Sequence, residues 1–174
     1  GDLLLTLSGM PWVRGVSFSP DTSHFAAGGF DGTTRVWSLA RSADGAALST
    51  SLQLVLPSPD GNPVLCVAYS PDGTQIASGN WNGTLTLWNA GTGQELRTIA
   101  AHEGFVSSLA FSPDRRRLAS VSPDGTAKVW DIASGHELLV LSGHMGAVWS
   151  IAFNPDGTGV ATGSGDKTAK IWDA

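Results

Sequence analysis

Apolar and polar residues alternate along the chain with a period of two, which is typical of β-strands. In the segment VWSIAF (148–153), Val, Ser and Ala occupy one set of alternate positions and Trp, Ile and Phe the other. Pro155-Asp156-Gly157 then predicts a turn, residues 159–163 a second strand, residues 164–167 another turn and residues 168–172 a third strand. The apolar segment ELLVL (137–141) predicts a strand before them. The pattern therefore predicts a unit of four short strands.

This unit occurs four times. Residues 106–131 match residues 148–173 position for position with an offset of 42, and residues 64–89 precede residues 106–131 by the same offset. The first copy, residues 13–38, lies 51 residues before the second. The nine additional residues fall in an Ala-, Ser- and Gly-rich connection from Ser42 to Thr50, which we expect to be an exposed loop. Such a period is typical of repeat architectures.

The residues at the ends of these strands resemble those of the WD40 repeat family, particularly its bacterial members. A His (His102 or His144) follows the fourth strand, Ser-Pro-Asp-Gly closes a hairpin, and Trp-Asp ends the third strand. The resemblance implies an all-β fold of four four-stranded antiparallel propeller blades. The blades would span approximately residues 9–56, 57–99, 100–141 and 142–174, the last completed by a strand at residues 3–7.

Four blades are fewer than this family commonly uses to close a ring, and three arrangements fit. The strand Leu3–Leu7 could close its own chain into a four-bladed ring. Two chains could instead exchange that strand and form an eight-bladed ring, or the chain could be part of a longer array. An open half-ring exposes apolar blade faces and an unpaired strand edge. We therefore expect a homodimer or a part of a larger chain rather than a closed monomer.

The resemblance also implies a buried hydrogen-bonded tetrad in each of the last two blades: His102, Ser120, Asp124 and Trp130, and then His144, Thr162, Asp166 and Trp172. A hydroxyl, an imidazole and a carboxylate together could suggest a hydrolase. The set recurs at the repeat spacing, however, and no nucleophile motif accompanies it. We expect a structural role and no catalytic residues.

The first two blades depart from the tetrad. The second has Ser78 and Trp88, but Asn82 replaces the Asp and Asp60 stands in place of the His. The first keeps Asp31 and Trp37, with Ala27 in place of the hydroxyl residue and Gly9 or Met10 in place of the His. We therefore predict that the first two blades open more easily than the last two.

By resemblance, the upper face around the channel would carry the partner contacts. Its lining would come from two positions at the start of each first strand and from the residue before each turn Asp: Trp12, Arg14, Pro63, Leu65, Phe105, Ser107, Ala147 and Trp149, together with Phe30, Trp81, Pro123 and Gly165. Five of these twelve are Trp or Phe, and exposed aromatics with an Arg are the composition of interface hot spots. The expected partner-binding residues are Trp12, Arg14, Phe30, Trp81, Phe105 and Trp149, although Trp149 could instead pack between blades.

Composition and residue spacing limit the classes of partner and ligand that we expect. A formal net charge of −5 argues against nucleic acid, and no apolar stretch is long enough to span a membrane. The single cysteine, Cys66, lies in an apolar run and favours a reducing, cytoplasmic setting. Neither His24 nor His136 has neighbours at metal-ligand spacing, and we expect neither a metal nor a cofactor. For Arg115-Arg116-Arg117, a solvated turn is favoured over a phosphate site or an acidic partner.

The predicted function is a protein–protein interaction scaffold or sensor that binds a peptide or protein on its upper face. The alternatives are a purely structural, self-assembling half-propeller and, less favoured, an enzyme with an active site on the channel face. The enzyme would need converging titratable groups, whereas the predicted lining is mainly aromatic and apolar.

Overall fold

The computed structural model describes residues 1–42 and 48–174, and fifteen strands lie within them. The strands are β1 Gly15–Phe18, β2 His24–Gly28, β3 Thr33–Arg41, β4 Leu48–Pro57, β5 Val64–Tyr69, β6 Gln75–Asn80, β7 Thr84–Asn89, β8 Glu95–Ala100, β9 Ser108–Phe111, β10 Arg117–Val121, β11 Thr126–Asp131, β12 Glu137–Ser142, β13 Val148–Phe153, β14 Gly159–Ser164 and β15 Ala169–Asp173. None of the described residues belongs to a helix that could cross a membrane.

The strands form four antiparallel sheets in chain order: β1–β4, β5–β8, β9–β12 and β13–β15. Within each sheet, successive strands are neighbours, as short turns between antiparallel strands require. This confirms the predicted all-β fold of four blades. The fourth blade has only three strands, so its last strand, β15, has no strand on its outer edge among the described residues.

Each blade packs its face against the next, because the first strand of one sheet lies beside the first strand of the following sheet. The buried apolar residues form three separate clusters, one at each interface between successive blades. The cluster between the second and third blades contains Leu85, Leu87 and Leu118, for example, all exposed by 2% or less. The core is therefore a series of layers between blades, as in other repeat proteins.

The four blades do not close into a ring. Apolar side chains remain exposed on both end blades: Phe18 of β1 is 61% exposed and Ile171 of β15 is 86% exposed. Residues 3–7 form no strand and do not complete the fourth blade, and Leu3 and Leu4 are exposed. Of the three arrangements that the sequence allowed, the closed four-bladed ring is not observed.

The longer connection in the first blade is partly strand. The prediction of a loop over residues 42–50 is wrong for residues 48–50, because β4 begins at Leu48 and pairs with the extended end of β3 at Arg41. Residues 43–47 of that predicted loop lie outside the described residues. Residues 48–50 therefore lengthen β4, which pairs with β3 as far as Arg41.

Candidate functional site

Five aromatic side chains form a continuous row across all four blades. The ring of Trp12 lies 4.9 Å from that of Phe30, centroid to centroid, and Phe30 lies 5.9 Å from Trp81. Trp81 stacks on Phe105 at 5.1 Å with 16° between the planes, and Phe105 lies 6.1 Å from Trp149. These separations are those of interacting aromatic pairs. The five predicted aromatic residues of the upper face thus form one surface, which we call the aromatic row.

The row is open to solvent although its members contact one another. Trp12 is 76% exposed, Trp81 49% and Trp149 46%, whereas Phe30 and Phe105 are partly buried between them. Trp149 lies over Gly165, where an added Cβ would come within 3.2 Å of the indole Nε1. Trp149 therefore extends the row over the fourth blade. It does not pack in an enclosed position between blades, the alternative that the sequence left open.

Arg14 adds a cation to the row. Its guanidinium carbon lies 5.5 Å from the centroid of Phe105, within the range of a cation–π contact. Arg14, Trp12, Val13, Phe30 and Trp81 line an open pocket of about 490 Å³. This volume falls within the range of about 300–1,000 Å³ that is usual for ligand pockets.

Val13 was missed by the sequence analysis. In the other three blades the matching residue is Val64, Val106 or Val148, each exposed by 1% or less, so the repeat predicts a core position. Val13 is 45% exposed because no blade covers this side of the first blade in the described structure. The position of Val13 in the repeat does not indicate that it is exposed, since its exposure comes from the absence of a neighbouring sheet on this side.

The remaining predicted lining positions contribute less. Leu65 is buried at 1% exposure and offers no surface, although it lies at the bulge between Val64 and Cys66. The equivalent bulge in β13 leaves Trp149 outward. The other predicted lining positions are small residues or prolines: Pro63, Ser107, Pro123, Ala147 and Gly165.

The structure brings the four side chains of each predicted tetrad together. In the third blade, His102 Nδ1 lies 3.0 Å from Asp124 Oδ2, and His102 Nε2 lies 2.8 Å from Ser120 Oγ. Trp130 Nε1 donates to the same Ser120 Oγ at 2.9 Å. These contacts link the loop before β9 to β10, β11 and the turn between them.

The fourth blade repeats this arrangement. His144 Nδ1 lies 2.8 Å from Asp166 Oδ2, and His144 Nε2 lies 2.8 Å from Thr162 Oγ1. Trp172 Nε1 donates to Thr162 Oγ1 at 2.9 Å. The backbone N–H of Met145 also donates to Asp166, which ties the start of the loop to the turn.

One proton arrangement satisfies all members of the third-blade tetrad. Burial lowers the pKa of His102 and so favours the neutral ring, although the nearby Asp124 opposes this. The pKa of Asp124 is also lowered: its own burial would raise it, but hydrogen bonds from Thr126 and the nearby His102 outweigh that effect. With the proton on Nδ1, His102 donates to Asp124 and accepts from the Ser120 hydroxyl, which in turn accepts from Trp130. The Ser120 hydroxyl is fully buried and engaged on both sides, which is unsuitable for a nucleophile.

The first two blades keep only part of this network. In the second, Trp88 Nε1 donates to Ser78 Oγ at 2.9 Å, and Asn82 Nδ2 donates to Asp60 Oδ2 at 3.1 Å. The loop and the turn remain linked, but none of the described side chains joins that pair to Ser78. In the first blade Asp31 instead forms an ion pair with Arg35 at 2.8 Å. The departures read from the sequence therefore correspond to fewer connections between strands.

On the opposite face, two of the three consecutive arginines bridge blades. Arg115 lies 3.2 Å from Asp72 of the second blade, and Arg117 Nη2 donates at 2.7 Å to the Gly157 carbonyl of the fourth. Arg117 also lies over the ring of Phe153. These contacts assign part of the run to packing between blades. Outside residues 43–47, no cluster of metal-ligating side chains is found.

Four antiparallel sheets packed face to face, two of them carrying the His–Ser/Thr–Asp–Trp network, define the chain as a set of β-propeller blades. The family described as "WD domain, G-beta repeat" matches residues 1–38, 50–89, 93–131 and 135–173. The chain belongs to this WD40 repeat family, whose members are in general non-enzymatic interaction scaffolds.

Similar proteins cover roughly half of the chain. A periodic tryptophan protein 2 homolog of Schizosaccharomyces pombe is 34% identical over 101 residues, which are 57% of this chain and 11% of that protein. A lissencephaly-1 homolog of Caenorhabditis briggsae is 32% identical over 99 residues, 56% of this chain and 23% of that protein. Protein Rae1 of Drosophila melanogaster is 30% identical over 99 residues, 55% and 26% respectively. The matched segment thus spans about a quarter or less of each of these relatives.

Proposed function

We propose that the chain is an interaction scaffold that binds a protein or peptide partner through the aromatic row. The observation that carries the proposal is the unbroken contact of five rings, from Trp12 to Trp149, on a surface that remains solvent-exposed. Contiguous exposed apolar surface typically marks an interaction site, and Trp is enriched among hot-spot residues. The net charge of −5 favours a protein over a nucleic acid.

A binding role fits this face better than catalysis. The residues that line its pocket are four apolar side chains and one arginine, with no acid–base pair among them. The groups that could form such a pair, His102 and Asp124, are engaged in the tetrad. General acid–base chemistry needs a titratable group within reach of a bound substrate, and the pocket provides none.

The test compares partner capture by the wild-type chain and by Trp81→Ala and Phe30→Ala, followed by affinity measurement with the purified partner. We expect each variant to lose at least about tenfold in affinity, because truncating a hot-spot ring costs 2 kcal/mol or more. The matched control is Leu96→Ala, which shortens an exposed apolar residue on the outer strand β8. Unchanged affinity in both ring variants would show that the partner uses another face.

We also propose that two copies of this chain associate through their open ends. This is supported by the outer edge of β15, which pairs with no strand among the described residues, by the exposed side chains of Leu3, Leu4 and Leu7, and by the exposed apolar side chains of the two end blades. Exchange of residues 3–7 would supply the missing fourth strand in each copy, and the eight blades would form one ring. Unpaired edges of this kind favour association.

Light scattering coupled to size exclusion tests the pairing. Twice the mass of one chain is expected, with reversion to a single chain when residues 3–7 are deleted. Leu138→Glu on the outer strand β12 is a control that should not change the mass, whereas Phe18→Glu on the end face should. A single-chain mass for the wild type at micromolar concentration would refute the pairing. The exposed end faces would then be expected to pack against further blades of a longer protein.

A further inference from the structure

The pocket at the first-blade end of the aromatic row combines a strongly apolar wall with one unpaired cation. Three rings (Trp12, Phe30 and Trp81) and Val13 form the wall, and Arg14 completes the lining. Among the described residues, no carboxylate lies within 4.0 Å of the Arg14 guanidinium, and no hydrogen bond from it is found. A guanidinium carries five N–H donors, and here they face the pocket and solvent.

Most of the carboxylates of this face already have a partner. Asp31 binds Arg35, Asp124 binds His102, and Asp166 binds His144. Asp60 accepts from Asn82, and Glu103 lies in a separate depression beside His102. Among the residues that line this pocket, Arg14 alone is charged, and it has no acceptor among the described residues, so the pocket is complementary to a carboxylate.

Arg14 also contacts the aromatic row. It lies over the Phe105 ring, which itself stacks on Trp81. A planar guanidinium held against a ring can offer two parallel N–H groups to one carboxylate, in the bidentate geometry that makes Arg–carboxylate pairs specific. Because Arg14 is exposed, such a pair would remain partly solvated, and its contribution would be modest.

We propose that the partner presents a large apolar side chain to this pocket and, one or two residues away, an Asp or Glu side chain whose carboxylate binds Arg14. The short separation follows from the lining, because Arg14 borders the same pocket as the rings and an extended peptide advances about 3.3 Å per residue. The inference rests on the proposed function, since it identifies the chemistry of the segment that the aromatic row binds.

Capped peptides test this directly. The probes are acetylated and amidated hexapeptides with one Phe and, one or two positions later, Asp, Asn or Lys, so that a side chain supplies the carboxylate and the chain end does not. Binding is followed by backbone amide shifts in the NMR spectrum of the whole 174-residue chain, up to millimolar peptide. The Phe–Asp peptide should perturb residues around Arg14 and Trp81 and bind about fivefold more tightly than the Phe–Asn peptide, as expected for a partly exposed ion pair.

The variants make the test specific. In Arg14→Gln the preference for Asp over Asn should disappear, and in Arg14→Glu the Lys peptide should become the tightest binder. Arg116→Gln, which removes an arginine from the opposite face, should leave the wild-type preference intact. Both Arg14 and Arg116 are exposed, so folding can be verified by an unchanged spectrum elsewhere.

Three results would overturn the inference: equal binding of the Asp and Asn peptides, preference of the wild type for Lys, or no shift near Arg14 with the Phe–Asp peptide at millimolar concentration. Each leaves the proposed function standing if Trp81→Ala still abolishes binding of a purified partner. Loss of the proposed function would instead appear as unchanged partner affinity in the Trp81→Ala and Phe30→Ala variants.

Discussion

Replacing the buried tetrad hydroxyl should cost more in the third blade than in the second. In Ser120→Ala, two groups lose their partner: Trp130 Nε1, at 2.9 Å from the hydroxyl, and His102 Nε2, at 2.8 Å. Ser120 is fully buried, so water cannot readily replace the hydroxyl. A buried polar group left without a partner costs about 1–3 kcal/mol, so we expect a loss of about 2–4 kcal/mol.

Ser78→Ala is the matched change in the second blade. The hydroxyl of Ser78 is equally buried; it accepts from Trp88 Nε1 at 2.9 Å and donates a long bond of 3.5 Å to the Thr86 carbonyl, but no imidazole contacts it. Only one side chain therefore loses its partner, and we expect a loss of about 1–2 kcal/mol. The two substitutions remove the same atom from the same position of the repeat, so the difference isolates the contribution of the imidazole.

Urea denaturation with unchanged m-value gives the total loss, but repeat arrays can unfold in parts, so hydrogen exchange should be measured as well. Exchange in β10 and β11 should accelerate in Ser120→Ala while β6 and β7 change little. In the wild type, the first two blades should exchange faster than the last two, because their polar networks are less complete. Losses in the two variants that agree within about 0.5 kcal/mol, or equal protection in all four blades, would refute this reasoning.

Three further outcomes are expected. Burial lowers the pKa of His102, so the unfolded chain binds more protons than the folded chain once the pH falls below about 6.5. The melting temperature should therefore fall as the pH is lowered below that value. A melting temperature that stays constant from pH 7 to pH 5 would contradict this. Gly83→Ala should lower the free energy of unfolding by more than about 2 kcal/mol, because an added Cβ would collide with the His102 carbonyl oxygen. Gly125→Ala has room for the Cβ and should lower it by about 1 kcal/mol, through the positive φ alone. Equal urea midpoints for the two variants would refute this difference. Arg117→Ala should lose about 1–2 kcal/mol in the same assay through its bond to the fourth blade, and Arg116→Ala, which has no such bond, should lose less than 0.5 kcal/mol.

The strands and the tetrads could be predicted from the sequence because both depend on local, repeated patterns. Alternation with a period of two identifies a strand wherever it occurs, and four aligned copies reinforce one another. His144 and Thr162 lie at the same separation as His102 and Ser120, so one set predicts the other. The same locality explains the error at residues 48–50, where Ala- and Ser-rich composition suggested a loop and pairing with β3 made a strand.

The tertiary structure alone decided which of these positions form a surface. The aromatic row joins Trp12 to Trp149 through residues from every blade. The separations of 5.1–6.1 Å between rings of successive blades are set by the packing of one blade on the next. Val13 and Leu65 have the pattern of a core and a lining position, yet one is exposed and the other buried. The burial of a residue depends on which residues pack against it across the interface between sheets. The sequence pattern of a single strand does not specify those residues.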